Sequence, residues 1–272
     1  MKSNTVSIIT DGGVKYISFP KLSKTGLVNL GFTTKIGGVS KGHFATMNMS
    51  FNRGDDRRAV EKNYEIFCEK IGVDPKNLVF TKQTHTNNVI VVSEKDRGIG
   101  FSRPEFSDID GLVTNCRNVA LVTQFADCTP LLFCDPVKKV IGSAHSGWRG
   151  TVKRIGAETV KVMVEKFSCN PKDIIAAIGP NIRNCCYEVD DAVYDEFSKA
   201  GFDNSRIFTP KGKGKYMLNL SLANKIILEE AGIREENIDI SDICTCCNSE
   251  EMFSHRANGT KRGNMAAIIE LK

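Results

Sequence analysis

Two neighbouring stretches decide the fold: "VALVTQFADCTPLLFCDP", Val119–Pro136, and "IGSAHSGWRG", Ile141–Gly150. The first carries an apolar run, a polar interruption at Asp127-Cys128-Thr129, and a second run, Leu131–Phe133, that reads as a buried strand. The second opens as another strand. It then places a histidine, two glycines, the chain's only tryptophan and an arginine in six consecutive residues. A thiol and an imidazole thus stand at strand breaks, where a rigid scaffold can aim side chains into a shared cleft.

Working outward, "VSIITDGGVKYISF" reads as a hairpin turning at Asp11-Gly12-Gly13. Asp55 and Asp56 are candidate caps for a helix whose Val60, Tyr64, Phe67 and Ile71 share one face. "LVFTKQTHTNNVIVVS" resembles two strands broken at a polar bend that holds Gln83, His85, Asn87 and Asn88. A helix is expected after Gly150, with Gly156, Val160, Met163, Val164 and Phe167 on one side. "DIIAAIGPNI" reads as a buried strand ending in a Gly-Pro turn. Ser221 is expected to cap a helix that ends near Gly232. Irregular alternation with hairpins mixed in points to an α+β (mixed α/β) fold, with a mixed sheet covered by helices. Neither a GxGxxG nor a GxxxxGK[ST] motif appears, which removes Rossmann and P-loop readings.

The 272 residues are 41% hydrophobic and 25% charged, and they fit one large domain or two small ones. Net charge is +5, but the basic residues are scattered, which suits a pocket for an anionic small molecule better than nucleic acid. No stretch reaches the roughly 20 apolar residues that cross a bilayer. The N-terminus lacks a signal-peptide core, so a cytoplasmic location is expected. There the ten cysteines would be reduced, as core residues, metal ligands or nucleophiles.

Of only four histidines, His43, His85, His145 and His255, two sit at polar strand breaks: His85 and His145. With Cys128 they make a donor set of two imidazoles and one thiolate. That set suits zinc with a fourth position open to water, which zinc acidifies to a pKa of about 7. It also matches the trigonal core of a blue-copper site. Without metal, Cys128 and His145 would be a cysteine–histidine nucleophilic pair.

The ordered motifs "TKQTHTNNVIVV", "DIDGLVT", "ADCTPLLFCDP", "IGSAHSGWRG", "IGPNIRNCCYEV" and "FSHRANGTKRGNMAAII" resemble the laccase-domain family. Its members are also called polyphenol oxidase or YfiH/YlmD-like purine nucleoside phosphorylases. The upstream "GGVSKGHFATMNMSFNRGDD" looks like the family's first segment. The resemblance spans about residues 30 to 270. It implies that His85, Cys128 and His145 are the metal ligands. It also implies a single-domain four-layer α/β/β/α fold over residues 1–272, and a cytosolic enzyme of purine nucleosides. The activities implied are phosphorolysis of adenosine, inosine and S-methyl-5′-thioadenosine, and deamination of adenosine. Three positions depart from the family pattern: Asn52, His255 and Asn264.

Around the trio, Cys128 and His145 are expected to take part in catalysis. Asp110, and less so Asp108, could act as general acid or base; the alternative is a turn in which they accept backbone N–H bonds. Trp148 is expected to pack the fold. Arg149 is placed for phosphate, Arg256 is a second anion-binding candidate, and Asn48 is a further substrate-binding candidate. The expected partners are purine nucleosides and phosphate, with no nucleic acid or membrane, and the chain is expected to be a monomer or weak homo-oligomer. Cys185-Cys186 and "CTCC" (Cys244, Cys246, Cys247) invite a second metal. On a strand, however, adjacent side chains point to opposite faces, and only one C-x-x-C spacing is present, so none is expected there. Copper oxidase chemistry is the alternative function. It is opposed by the histidine count, since His43 and His255 alone remain to build a trinuclear centre. A metal-free cysteine hydrolase is the third reading.

Overall fold

The computed structural model describes residues 1–272. Two six-stranded sheets dominate. In spatial order the first runs Ser7–Asp11, Val14–Ser18, Val28–Thr33, Met265–Leu271, Ala120–Phe125 and Leu78–Val79. The second runs Ile238–Ile240, Ile175–Ile178, Thr129–Asp135, Val140–Ser146, Gly111–Thr114 and Val89–Val91. Both are mixed: their long central strands pair antiparallel, while Leu78–Val79, Ile238–Ile240 and Val89–Val91 pair parallel.

The sheets stack face to face because their central strands are apolar on both sides. Leu121, Ala267 and Ile269 of the first sheet meet Leu132, Cys134 and Ile141 of the second in one buried cluster. Side chains alternate along a strand, so the intervening residues face outward. Ala120, Val122, Ala266 and Ile268 receive Val60, Tyr64, Phe67 and Ile71 of the helix Arg57–Ile71. Leu131, Phe133, Val140 and Ala144 receive Ile155, Val160 and Met163 of the helix Ile155–Phe167, with Leu228 of the helix Leu220–Glu230. The resulting order is helix, sheet, sheet, helix. Strands buried on both faces read as continuous apolar runs, which is why they were legible.

The hairpin is as expected: Asp11 pairs with Val14 across Gly12 and Gly13, both at positive φ, as a type I′ turn requires. Asp56 caps the first long helix by accepting from the Arg58 N–H at 3.0 Å. Two helix starts differ from expectation. Asn219, not Ser221, caps Leu220–Glu230, because its Oδ1 reaches the Leu222 N–H at 3.0 Å while Ser221 donates to Asn181 Oδ1 instead. A short helix, Trp148–Val152, begins before Gly150, and Arg154 in the left-handed region separates it from Ile155–Phe167. The polar bend after Leu78 likewise holds an extra pair of residues, Thr81–Lys82, which joins Phe106–Ser107 in a two-stranded sheet.

Phe67 is fully buried between helix and sheet, remote from the polar strand ends. Phe67→Ala should cost about 3–5 kcal/mol of unfolding free energy, read as a lower urea midpoint at unchanged slope. A loss below about 1 kcal/mol would contradict this packing.

Candidate metal centre

The chain crosses from the first sheet to the second at Asp127-Cys128, between Ala120–Phe125 and Thr129–Asp135. This crossing brings Cys128 beside His145, on the penultimate residue of Val140–Ser146, and His85, in the loop between Thr81–Lys82 and Val89–Val91. The metal-binding atoms of His85, Cys128 and His145 all lie within 4.8 Å of one another. Cys128 Sγ is 3.8 Å from His85 Nε2. A tetrahedral ion with bonds of about 2.3 Å to sulfur and about 2.0 Å to nitrogen would set them about 3.5 Å apart. The donor set therefore fits such an ion.

Asp110 holds the arrangement. Fully buried, its carboxylate accepts from His145 Nδ1 at 2.8 Å, leaving Nε2 as that ring's free donor atom. It also accepts from the backbone N–H groups of Thr84, His85 and Thr86 and from the Thr86 hydroxyl. His85 is thereby kept at φ 65°, a left-handed conformation that costs a non-glycine residue energy and persists only under such restraint. Asp110 lies behind His145, outside the cleft. Its place is that of a carboxylate orienting a ligand, and the acid–base role considered from sequence is replaced by it.

The close approach also explains a glycine. A Cβ on Gly147 would lie 2.7 Å from His85 Cδ2 and 3.0 Å from Cys128 Sγ, so position 147 must carry no side chain. Burial pushes the Cys128 thiol up, but His145 and His85 outweigh it and bring the pKa down to about 6. Burial lowers His145, yet the Cys128 thiolate and Asp110 raise it to about 9.

The trio floors a cleft with two lobes. The first, of about 550 Å³, is polar and includes Arg53, Lys82, Gln83, Glu105 and Arg262. The buried Nε atoms of Arg53 and Arg262 have no hydrogen-bond partner. Burial and the nearby Arg53 charge lower the Arg262 pKa to about 10, outweighing the opposing pull of Asp127 and Cys128. The second lobe, about 430 Å³, is half apolar, with Trp148, Ile182, Tyr187 and Leu220 alongside Arg149, Arg256 and His255. Ala126, His85, Cys128 and Arg262 border both lobes. Trp148 therefore reaches the cleft as well as packing against the neighbouring apolar cluster.

The other candidates divide. The Arg149 guanidinium stacks 4.2 Å from the Trp148 ring at the second lobe. Arg256 also faces that lobe, but its guanidinium donates to the carbonyls of Cys186 and Glu188 at 2.9 Å each. Asn48 is not a substrate contact. It is fully buried, its amide donates to Ser50 O and Asp55 Oδ2, and its Oδ1 accepts from the Ser50 and Asn264 N–H groups. Asp108 accepts from the Thr84 hydroxyl at 2.9 Å. The departures Asn52 and Asn264 line the first lobe and His255 the second. Arg53, Arg262 and Tyr187 were missed from sequence; nothing in their local spacing marks them, since strand ends far apart in the chain bring them together. The second cysteine group was also misjudged. Cys185, Cys186, Cys244 and Cys247 do converge, because the first two lie in a turn and not on a strand.

With this geometry in place, comparison with known proteins is direct. Residues 29–272 match the family described as multi-copper polyphenol oxidoreductase laccase. The chain belongs to this laccase-domain family. It is 41% identical to purine nucleoside phosphorylase YlmD of Bacillus subtilis, covering 89% of this chain and 88% of that one. It is 31% identical to a purine nucleoside phosphorylase of Bacteroides thetaiotaomicron, over 94% and 96% of the two chains. Among solved structures, Bacillus licheniformis hypothetical protein YfiH superposes with a TM-score of 0.92 at 35% identity, covering 97% of this chain and 99% of that one. YlmD of Geobacillus stearothermophilus gives 0.91 at 34%, over 97% and 98%. No helix is long and apolar enough to cross a membrane.

Two outcomes follow from the ligand geometry. Asp110→Asn should weaken zinc binding by about 10–100-fold, and Gly147→Ala should weaken it at least as much, in protein whose circular dichroism is unchanged. Unaltered affinity in both would remove the support role of Asp110 and the steric role of Gly147. Between about pH 6 and pH 9, ion-free His145 carries a proton and Cys128 does not. Zinc binding should then release about one proton, measured by calorimetry in buffers of different ionisation enthalpy. Below about pH 6 a second proton must leave Cys128, and affinity should fall more steeply.

Proposed function

We propose that the cleft is the active site of a zinc-dependent purine nucleoside phosphorylase that also deaminates adenosine. Its substrates would be adenosine, inosine and S-methyl-5′-thioadenosine, and residues 1–272 would act as one domain. The supporting observation is the pairing of the lobes: a polar one, in which the buried Nε atoms of Arg53 and Arg262 lack partners, and a half-apolar one with Trp148 and Tyr187, meeting at the His85–Cys128–His145 floor. The curated relatives are named purine nucleoside phosphorylases, which supports the phosphorolysis part of this reading.

In this reading phosphate occupies the first lobe, held by Arg53 and Arg262, whose unpaired Nε groups favour that site over Arg149. The purine lies in the second lobe against Tyr187 and Trp148, with Arg149 and Arg256 at its margin. Phosphorolysis joins a phosphate oxygen to ribose C1′ as the C1′–N9 bond breaks; the electron pair leaves with the base, which takes up a proton. Fixing phosphate and nucleoside side by side supplies most of what such a transfer needs, by removing the entropy of bringing them together. Deamination instead adds water at purine C6 and releases ammonia. Zinc held by His85, Cys128 and His145 would supply a Lewis acid at the junction of the lobes. Asp110 keeps the His145 ring turned toward that junction.

Copper oxidase chemistry is disfavoured by the remaining histidines. His43 packs on Phe44, and His255 pairs its Nδ1 with the Gly259 carbonyl; neither joins the trio. The protein as purified should consume little oxygen with a simple phenol; rapid consumption abolished by copper removal would reverse this choice.

Arg262→Ala should lower phosphorolysis of adenosine by about tenfold to a few hundredfold, mainly through a higher KM for phosphate, as expected for loss of charge-assisted bonds of about 1.5–3 kcal/mol each. Deamination, which uses water, should fall much less. Arg149→Ala should act instead through the nucleoside and depress both reactions together. Adenine and inosine formation, followed separately, decide the matter: equal losses in Arg262→Ala, or a phosphate-specific loss in Arg149→Ala, would overturn this placement.

A further inference from the structure

Cys185, Cys186, Cys244 and Cys247 bring four sulfur atoms within 4.8 Å of one another, apart from the His85–Cys128–His145 centre. Cys247 Sγ stands 3.5 Å from Cys185 Sγ and 3.3 Å from Cys186 Sγ, and all four thiols are unbonded to one another. We propose that these four cysteines form a second, structural zinc site of tetrathiolate type.

The geometry supports it in three ways. In a tetrahedron with zinc–sulfur bonds of about 2.3 Å the sulfur atoms lie about 3.8 Å apart, within the spread seen here. Both pairs of ligands sit in tight turns. The Cys186 and Tyr187 N–H groups return to the Arg183 carbonyl, and the Asn248 N–H returns to the Cys244 carbonyl. Successive side chains in a turn diverge by about 100°, as in a helix, instead of the 180° of a strand, so adjacent Cys185 and Cys186 can face one point. Thirdly, Cys244 Sγ accepts from the Arg183 N–H at 3.5 Å, the outer-shell bond that suits a coordinated thiolate. Four thiols crowded together gain nothing as simple core residues here, because Cys185 and Cys247 are exposed. Binding needs no oxidant: each S–H that ionises sends its proton to solvent and its sulfur pair to the metal.

The site would staple two segments that shape the second lobe. Tyr187 follows Cys186 directly, and the Cys186 carbonyl accepts from Arg256 Nη1 at 2.9 Å. Thr245, inside the Cys244–Cys247 turn, donates at 2.6 Å to Asp127, which neighbours Cys128 and also accepts from Ser254 and the Arg256 N–H. The staple is therefore continuous with the wall of the cleft.

Metal content and thiol reactivity test the proposal independently of nucleoside chemistry. Protein purified without added chelator should hold about two zinc ions per chain. Cys185→Ser/Cys247→Ser, which alters only exposed positions, should hold about one, and so should His85→Ala/Cys128→Ala, which empties the other centre. In the wild type, Cys185 and Cys247 should resist alkylation by iodoacetamide despite their exposure, and react once a strong chelator is added. Cobalt(II) bound to His85→Ala/Cys128→Ala should show the intense near-ultraviolet sulfur-to-metal absorption of four thiolates. Unchanged zinc content in the double serine variant, alkylation of both thiols without chelator, or recovery of a Cys185–Cys247 disulfide from anaerobically prepared protein would each overturn it. Loss of zinc only from the His85/Cys128/His145 centre would instead count against the catalytic reading and leave this one standing.

Discussion

The carboxylate of Asp110 is the contact on which the centre depends. Its Oδ1 accepts from the ring of His145 and the backbone of His85, while its Oδ2 accepts from the backbone of Thr84 and from both the backbone and hydroxyl of Thr86. A fully buried carboxylate must satisfy its acceptors or suffer a heavy desolvation penalty, and here every partner belongs to a histidine ligand or its loop. Burial works against the Asp110 anion, but bonding to His145 and Thr86 outweighs it and holds the pKa low. One residue thus sets the tautomer of His145 and the backbone of His85.

The sheets supply the rigidity behind that contact. His145 is the penultimate residue of a strand paired on both sides, with Thr129–Asp135 and Gly111–Thr114, so Asp110 reaches it from just before the neighbouring strand. The His145 N–H also donates to the Asp110 carbonyl at 2.8 Å, which locks the two strands in register beside the centre. Cys128 arrives from the other direction, where the chain leaves the first sheet with Asp127 at φ 87°. The Asp127 carboxylate bonds to Thr245, Ser254 and Arg256 and so holds this strained crossing. Two buried aspartates, Asp110 at the His85 loop and Asp127 at the crossing, thus hold His85, Cys128 and His145, which come from distant parts of the chain.

The lobes of the cleft have polar contacts of their own, apart from this frame. Asn52, His255 and Asn264 all line the lobes, and none supports the trio. Asn52 reaches Glu105 at 3.2 Å and Asn264 accepts from Arg262, so the first lobe has its own polar network. This network shares no hydrogen bond with His85, Cys128 or His145.

The sequence by itself determined a mixed sheet covered by helices and the position of His85, Cys128 and His145 at strand breaks, while the four layers were implied only by the family resemblance. Runs such as Leu131–Phe133 are apolar on both faces, and only a strand covered on both sides accommodates that pattern. The hairpin at Gly12-Gly13 and the Asp56 cap were legible for the same reason: local backbone geometry demanded those residues. Tertiary structure alone decided the partners. Asn48 looked available and is consumed by internal hydrogen bonds, while Arg53 and Arg262, 209 residues apart by number (262 − 53), share one lobe. Cys185 and Cys186 read as diverging because a strand was assumed, and a turn at Arg183 brings them to Cys244 and Cys247. Periodicity reports which face of an element is buried, but it carries no record of which distant element will lie against that face.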